Sequence, residues 1–204
     1  MTQRLHIHPT HPQERLVAQT VEVLKQSGGV IAYPTDSGYA LGCSLGDKEA
    51  LERIKKLRDL DKHHNFTLVC QNLSELGMYA RVNNTVFRIL KAHTPGPYTF
   101  ILEATNEVPR RLQHPKKKTV GVRVPDNAIA LAILSALGEP LMSVTLLFPG
   151  KNTMLADPDE IYECLKGKVD VMVDGGACGI EPTTVIDLAT GMAEVVRVGK
   201  GPVF

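Results

Sequence analysis

Several short segments of this 204-residue chain carry side chains that could act together on an anionic ligand. The first is Tyr33-Pro-Thr-Asp-Ser-Gly-Tyr-Ala-Leu-Gly-Cys43. Its proline fixes the chain direction, Thr35, Asp36 and Ser37 offer three consecutive polar side chains, and Gly38 and Gly42 let backbone approach a ligand. The same composition also makes a plain surface turn. The second is Ile54-Lys-Lys-Leu-Arg58. Lys56 and Arg58 would splay by about 200° on a helix, so they converge on one ligand only if the chain has left the helix by then. A compact ammonium beside a planar guanidinium suits a polyphosphate or a pyrophosphate leaving group. The competing reading is cations that merely complement a helix C-terminus. Thr94-Pro-Gly-Pro-Tyr-Thr-Phe-Ile-Leu102 is a rigid turn feeding a strand. In Gly121-Val-Arg-Val-Pro125 alternation turns Arg123 away from the face of its flanking valines, into solvent or a cleft. Val173-Asp-Gly-Gly176, Pro182-Thr-Thr-Val-Ile-Asp187 and Val196-Arg-Val-Gly199 complete the set.

The elements that must position these side chains follow from periodicity. Gln13 to Ser27 places Leu16, Val17, Val21 and Leu24 on one helical face and stops at Gly28-Gly29. Asp47 has the place of an N-cap for a helix burying Ala50, Leu51, Ile54 and Leu57. Further helices are predicted over 73–79, 85–92, 127–137 and 158–165, the last with Pro158 in its first turn. Strands are predicted over 30–33, 66–70, 99–103, 120–124, 141–147, 169–173, 184–188 and 194–198. Such alternation predicts an α/β protein: a single domain with an open, twisted, mixed β-sheet flanked by helices on both sides. Ligands of such folds collect beyond the carboxyl ends of strands, where most of these segments fall.

Composition narrows the possible partners. Lys+Arg number 23 against 22 Asp+Glu, a formal net charge of +1, so any anion site must be a local cluster. The start, Met1-Thr-Gln-Arg-Leu-His-Ile-His-Pro, has no apolar run of the signal-peptide kind, and Ile129 to Leu137 is too short to span a bilayer. A cytoplasmic protein with reduced thiols and no membrane partner is expected. Cys43, Cys70, Cys164 and Cys178 lack zinc-ligand spacing and read as small buried hydrophobes. His63-His64 beside Asp61 falls short of the three or four convergent ligands of a closed metal site, so no protein-bound structural metal is expected.

Taken together, the segments resemble the YrdC-like family in order and spacing, from about Arg15 to Gly199. Its founding activity is threonylcarbamoyl-AMP synthesis for tRNA modification. Tyr33-Pro-Thr-Asp-Ser-Gly-Tyr39 looks like the family's Y-P-T-E/D-T/S-x-Y, and Lys56-Leu-Arg58 like its K-x-R. Pro95-Gly-Pro-Tyr-Thr99 is similar to P-G-P-x-T, and Val122-Arg-Val-Pro125 to V-R-x-P. Thr183-Thr-Val-Ile-Asp187 is similar to S-T-V-x-D, and Arg197-Val-Gly199 to R-x-G. Ile7-His-Pro9, Asp36 to Cys43 and Asn65-Phe-Thr-Leu-Val69 resemble the family's YciO branch in particular.

The resemblance implies a concave, positively charged face and a reaction that joins L-threonine, bicarbonate and ATP, with Mg²⁺ on the nucleotide, releasing pyrophosphate. Thr35, Arg123 and Thr183 would hold the amino-acid substrate. Lys56, Arg58 and Thr145 would be catalytic and, with Arg197, would bind the nucleotide. One position departs from the family. Its P-L-x-A-x-S-A-N-x-S-G aligns without gaps on Pro140 to Gly150, so Thr145 takes the serine place and Leu147 the asparagine place. An amide that donates and accepts is replaced by a group that does neither, which predicts weakened adenylate synthesis. The alternative function is a double-stranded RNA or tRNA binder without adenylate synthesis. It would use one basic patch at Lys55, Lys56, Arg58 and Lys62 and another at Arg110, Arg111 and Lys116 to Lys118.

Overall fold

The computed structural model describes residues 1–204. In chain order the strands are β1 (Gln3–His6), β2 (Ile31–Pro34), β3 (Tyr39–Ser44), β4 (Thr67–Val69), β5 (Tyr98–Glu103), β6 (Thr119–Arg123), β7 (Leu141–Thr145), β8 (Val171–Asp174), β9 (Thr184–Asp187) and β10 (Glu194–Arg197). The helices are α1 (Glu14–Lys25), α2 (Lys48–Arg58), α3 (Leu73–Tyr79), α4 (Asn84–His93), α5 (Ala128–Leu137) and α6 (Pro158–Leu165). All ten strands join one mixed sheet in the order β1-β8-β2-β3-β7-β4-β6-β5-β9-β10. Pairs such as β4–β6 and β5–β9 run parallel, whereas β2–β3, β3–β7 and β5–β6 run antiparallel.

Local chemistry sets the helix ends. Asp47 caps α2 by accepting from the Ala50 amide at 2.9 Å, and the left-handed Asp59 (φ 53°) ends it. Asn127 and Asp157 cap α5 and α6 in the same way, and Gly138 ends α5 with φ 75°. Three strands depart from expectation. Tyr39–Ser44, which reads as the tail of a ligand loop, is the interior strand β3; it is buried on both faces except at its last residue, so it shows no period of two. The four-residue β1 at the sheet edge went unread as well, and the strand expected over 141–147 stops at Thr145.

The two faces of the sheet are covered unequally. On one face α2, α3, α4 and α6 bury a continuous core with Leu68, Phe100, Val122 and Met142. On the other, α1 and α5 cover only the half built on β1, β8, β2 and β3, where Val17, Val21, Ile129 and Ile133 meet Ile31, Tyr33 and Val171. The rest of that face, over β7, β4, β6, β5 and β9, lies open beneath loops. Apolar side chains alternate there with Thr67, Thr99, Thr119, Gly121 and Arg123, a polar set that fits contact with a ligand better than with a helix.

Candidate functional site

The open half-face is the floor of a cleft of about 500 Å³. Register runs one row across it, from Ser143 through Thr67, Gly121 and Ile101 to Asp187. Gly121 keeps the middle of the floor low, because a Cβ there would stand 3.4 Å from Thr67 Oγ1 and 3.5 Å from Thr99 Cγ2. The turn joining β2 to β3 forms one end. In it the Thr35 hydroxyl donates to Gly38 O at 2.6 Å and accepts from the Ser37 and Gly38 amides. Gly38 sits at φ 154°, and its missing Cβ leaves room for Gly179 O at 3.0 Å. Thr35 therefore lines the cleft with its hydroxyl bound into its own turn.

Arg123 is the most constrained charge in the cleft. It is 8% exposed, donates from Nη2 to Asp36 Oδ1, and donates from Nη1 to Ser37 Oγ at 3.1 Å. Asp36 in turn accepts the Asp126 amide at 3.0 Å through its other oxygen. The guanidinium is thus held from two sides, yet its Nε is buried without an acceptor. A buried charged donor left unpaired is costly, and this one belongs to a side chain that lines the cleft.

At the far end Thr183 shares a hydrogen bond with Thr99 at 2.9 Å, and Arg197 donates to Thr183 O and Oγ1 at 2.8 and 3.1 Å. Burial lowers the proton affinity of the Arg197 guanidinium below its ordinary value. On the side wall Arg58 donates from Nε to Thr145 O at 2.7 Å and from Nη1 to Leu147 O at 2.6 Å. This bond to Thr145 O lies where β7 ends. The Thr145 side chain is exposed in the cleft, and Leu147 presents an apolar side chain beside it. Thr35, Arg58, Arg123, Thr145, Thr183 and Arg197 are therefore brought together around one cleft.

Lys56 is not brought there. Helix α2 continues through Arg58, so the two side chains splay as helical geometry requires, and Lys56 lies exposed outside the lining residues. Sequence reading also passed over His64 and Asn152, which both line the cleft. From sequence His64 reads only as part of an incomplete metal set; burial and the nearby Arg58 charge hold its imidazole below the ordinary range. The one hint at Asn152 was its place in the Pro149 to Thr153 loop just past β7. Tyr33, at the inner wall, shares a hydrogen bond with Ser143 Oγ at 2.7 Å, and burial pushes its phenol up to about 12. All four cysteines are free; Cys43 and Cys70 are buried as expected, whereas Cys164 is exposed. No group of three His, Cys, Asp or Glu side chains converges, and no helix is long and apolar enough to cross a membrane.

The family model for Sua5, YciO and YrdC proteins, described as telomere recombination, matches residues 23–199. The chain belongs to the Sua5/YciO/YrdC family. Within it, the chain is 54% identical to YciO of Escherichia coli strain K12, over 100% of this chain and 98% of that one. The crystal structure of E. coli YciO superposes with a TM-score of 0.94 over 99% of this chain and 98% of that one. A threonylcarbamoyl-AMP synthase of Neisseria gonorrhoeae is 29% identical over 87% of this chain and 96% of its own. Sua5 of P. abyssi, solved with L-threonine, shares the fold at 24% identity with a TM-score of 0.88, over 97% of this chain and 58% of that one.

Proposed function

We propose that the cleft binds an adenine nucleotide and an amino-acid-like substrate, and that the protein forms an acyl-adenylate of the threonylcarbamoyl-AMP type. The convergence of Arg58, Arg123 and Arg197 on one cleft that holds a single carboxylate, Asp187, carries this reading, because guanidinium groups so placed suit the oxygens of an anionic ligand. Family membership and the distant likeness to a threonylcarbamoyl-AMP synthase support the choice of reaction.

In that reaction the threonine nitrogen and bicarbonate give a carbamate and water. A carbamate oxygen attacks the α-phosphorus of ATP, the bond from that phosphorus to the oxygen bridging to the β-phosphate breaks, and pyrophosphate leaves with the electron pair. Arg123, fixed by Asp36 and Ser37, presents its positive charge to the acyl substrate. Thr145 offers its hydroxyl to the phosphates. Arg58 adds positive charge where the leaving group develops and fixes the backbone that carries Thr145. Thr183 and Arg197 close the far end. Mg²⁺ would arrive with the nucleotide and neutralise phosphate charge. Asp187, the one carboxylate among the lining residues, fits an ion otherwise held by phosphates and water.

Leu147 sets the rate low by withholding an amide. The assay is pyrophosphate release from ATP with bicarbonate and Mg²⁺, with and without L-threonine, the product being identified by mass. Threonine-dependent release of the carbamoyl-adenylate is the expected result. Absence of turnover together with absence of ATP binding would overturn the reading and leave RNA as the partner to test.

A further inference from the structure

A second, smaller niche of about 150 Å³ opens beside the cleft and shares His64, Asn65, Phe66 and Leu112 with it. Three separate stretches of chain converge on it: α2 brings Lys55, the segment before β4 brings Lys62 and His63, and the 3-10 turn Arg110–Leu112 brings Arg110 and Arg111. No carboxylate lines it. Lys55 pairs with Glu52 outside the niche, Arg111 donates to Gly46 O, and neither Lys62 nor Arg110 has an acidic partner anywhere in the fold. Beneath these cations Leu51, Phe66 and Leu112 make a buried apolar floor, which weakens the solvent screening that usually makes like charges tolerable. Asp61 is near enough to act on His64, yet with Lys62 and Arg110 unpaired the local excess of positive charge, in a protein of net charge +1, suits an anion. The volume, about 150 Å³, is that of about five water molecules, the size of a phosphate or diphosphate.

We propose that this niche is a second anion site, separate from Arg123, that binds inorganic diphosphate. Its position suits a station for pyrophosphate leaving the cleft; that role rests on the proposed adenylate chemistry, whereas the anion binding does not.

The test is titration of the full chain with pyrophosphate alone, read by amide chemical shifts and calorimetry. Pyrophosphate should move the amides of residues 62–65 and 110–113. The Lys62→Glu/Arg110→Glu variant, altered at two exposed positions, should weaken pyrophosphate about tenfold or more, since like charges then face the ligand. ATP should still move Gly121 and Thr183 in that variant. Shifts confined to the cleft, or an affinity within about twofold of the parent in the variant, would overturn the niche. Pyrophosphate bound at the niche with no ATP response in the cleft would instead overturn the adenylate reading and leave the niche standing.

Discussion

At the scale of single residues the site turns on the Asp36–Arg123 pair, in which both side chains are about one-tenth exposed. Removing one member of a buried pair leaves the other charge desolvated and unpaired. Asp36→Ala is therefore expected to destabilise the fold by about 3–5 kcal/mol, measured by denaturant unfolding. A surface turn of the same composition would register almost nothing, so the measurement separates the two readings open for Pro34 to Gly38. Leu147 is the second decisive residue. It lines the cleft with its carbonyl held by Arg58, so an amide at this position would stand in the cleft beside Thr145. Leu147→Asn should raise pyrophosphate release by about 10²-fold, following the cost of losing one preorganised donor elsewhere. An unchanged rate would locate the limitation at another residue, Lys56 first, since it stands outside the cleft.

At the scale of elements, the floor of the cleft depends on β6 offering no side chain at Gly121. The neighbouring Thr67 and Thr99 atoms leave room for a methyl group but not for a branched side chain lying flat. Gly121→Leu should therefore abolish nucleotide and amino-acid binding while far-ultraviolet circular dichroism stays that of the folded protein. Loss of the fold would mean that the floor is closed packing instead of a binding surface. Which elements the sequence disclosed follows from the same physics. Helix α2 was legible because an Asp cap and an apolar face were written locally, and α5 and α6 were legible from their own caps. Alternation in β6 turned Arg123 away from Val122 and Val124, which left solvent or a cleft as its destination; the structure gives the cleft. Strand β3 was not, because a strand buried on both faces has no alternation and Gly42 resembles a turn residue. The splay of Lys56 from Arg58 depended on where α2 ends, and that end is fixed by a left-handed Asp59 that no local pattern announced. His64 and Asn152 reach the cleft through tertiary placement of loops, which leaves no periodic signature.

At the scale of the whole molecule, unequal coverage of one sheet is what makes a cleft: α1 and α5 stop at the middle of the face, and the polar alternation of β4, β5 and β6 begins there. Net charge then decides how a ligand finds it. At +1 overall the protein exerts little long-range pull on a nucleotide, so the proposed binding would come from short-range contacts with the buried Arg123, the half-buried Arg58 and the more exposed Arg197. A mononucleotide in such a cleft should lose only a few-fold in affinity between 50 and 200 mM salt, as measured by calorimetry. An RNA held along its backbone by the basic patches would behave otherwise, losing about 10³–10⁵ in affinity over that range if it made 6–10 phosphate contacts. The salt slope thus reads which surface is engaged. A steep slope with RNA and no response to ATP would assign function to the rim of the cleft, whereas a shallow slope with ATP assigns it to the floor, where the unpaired Arg123 donor sits.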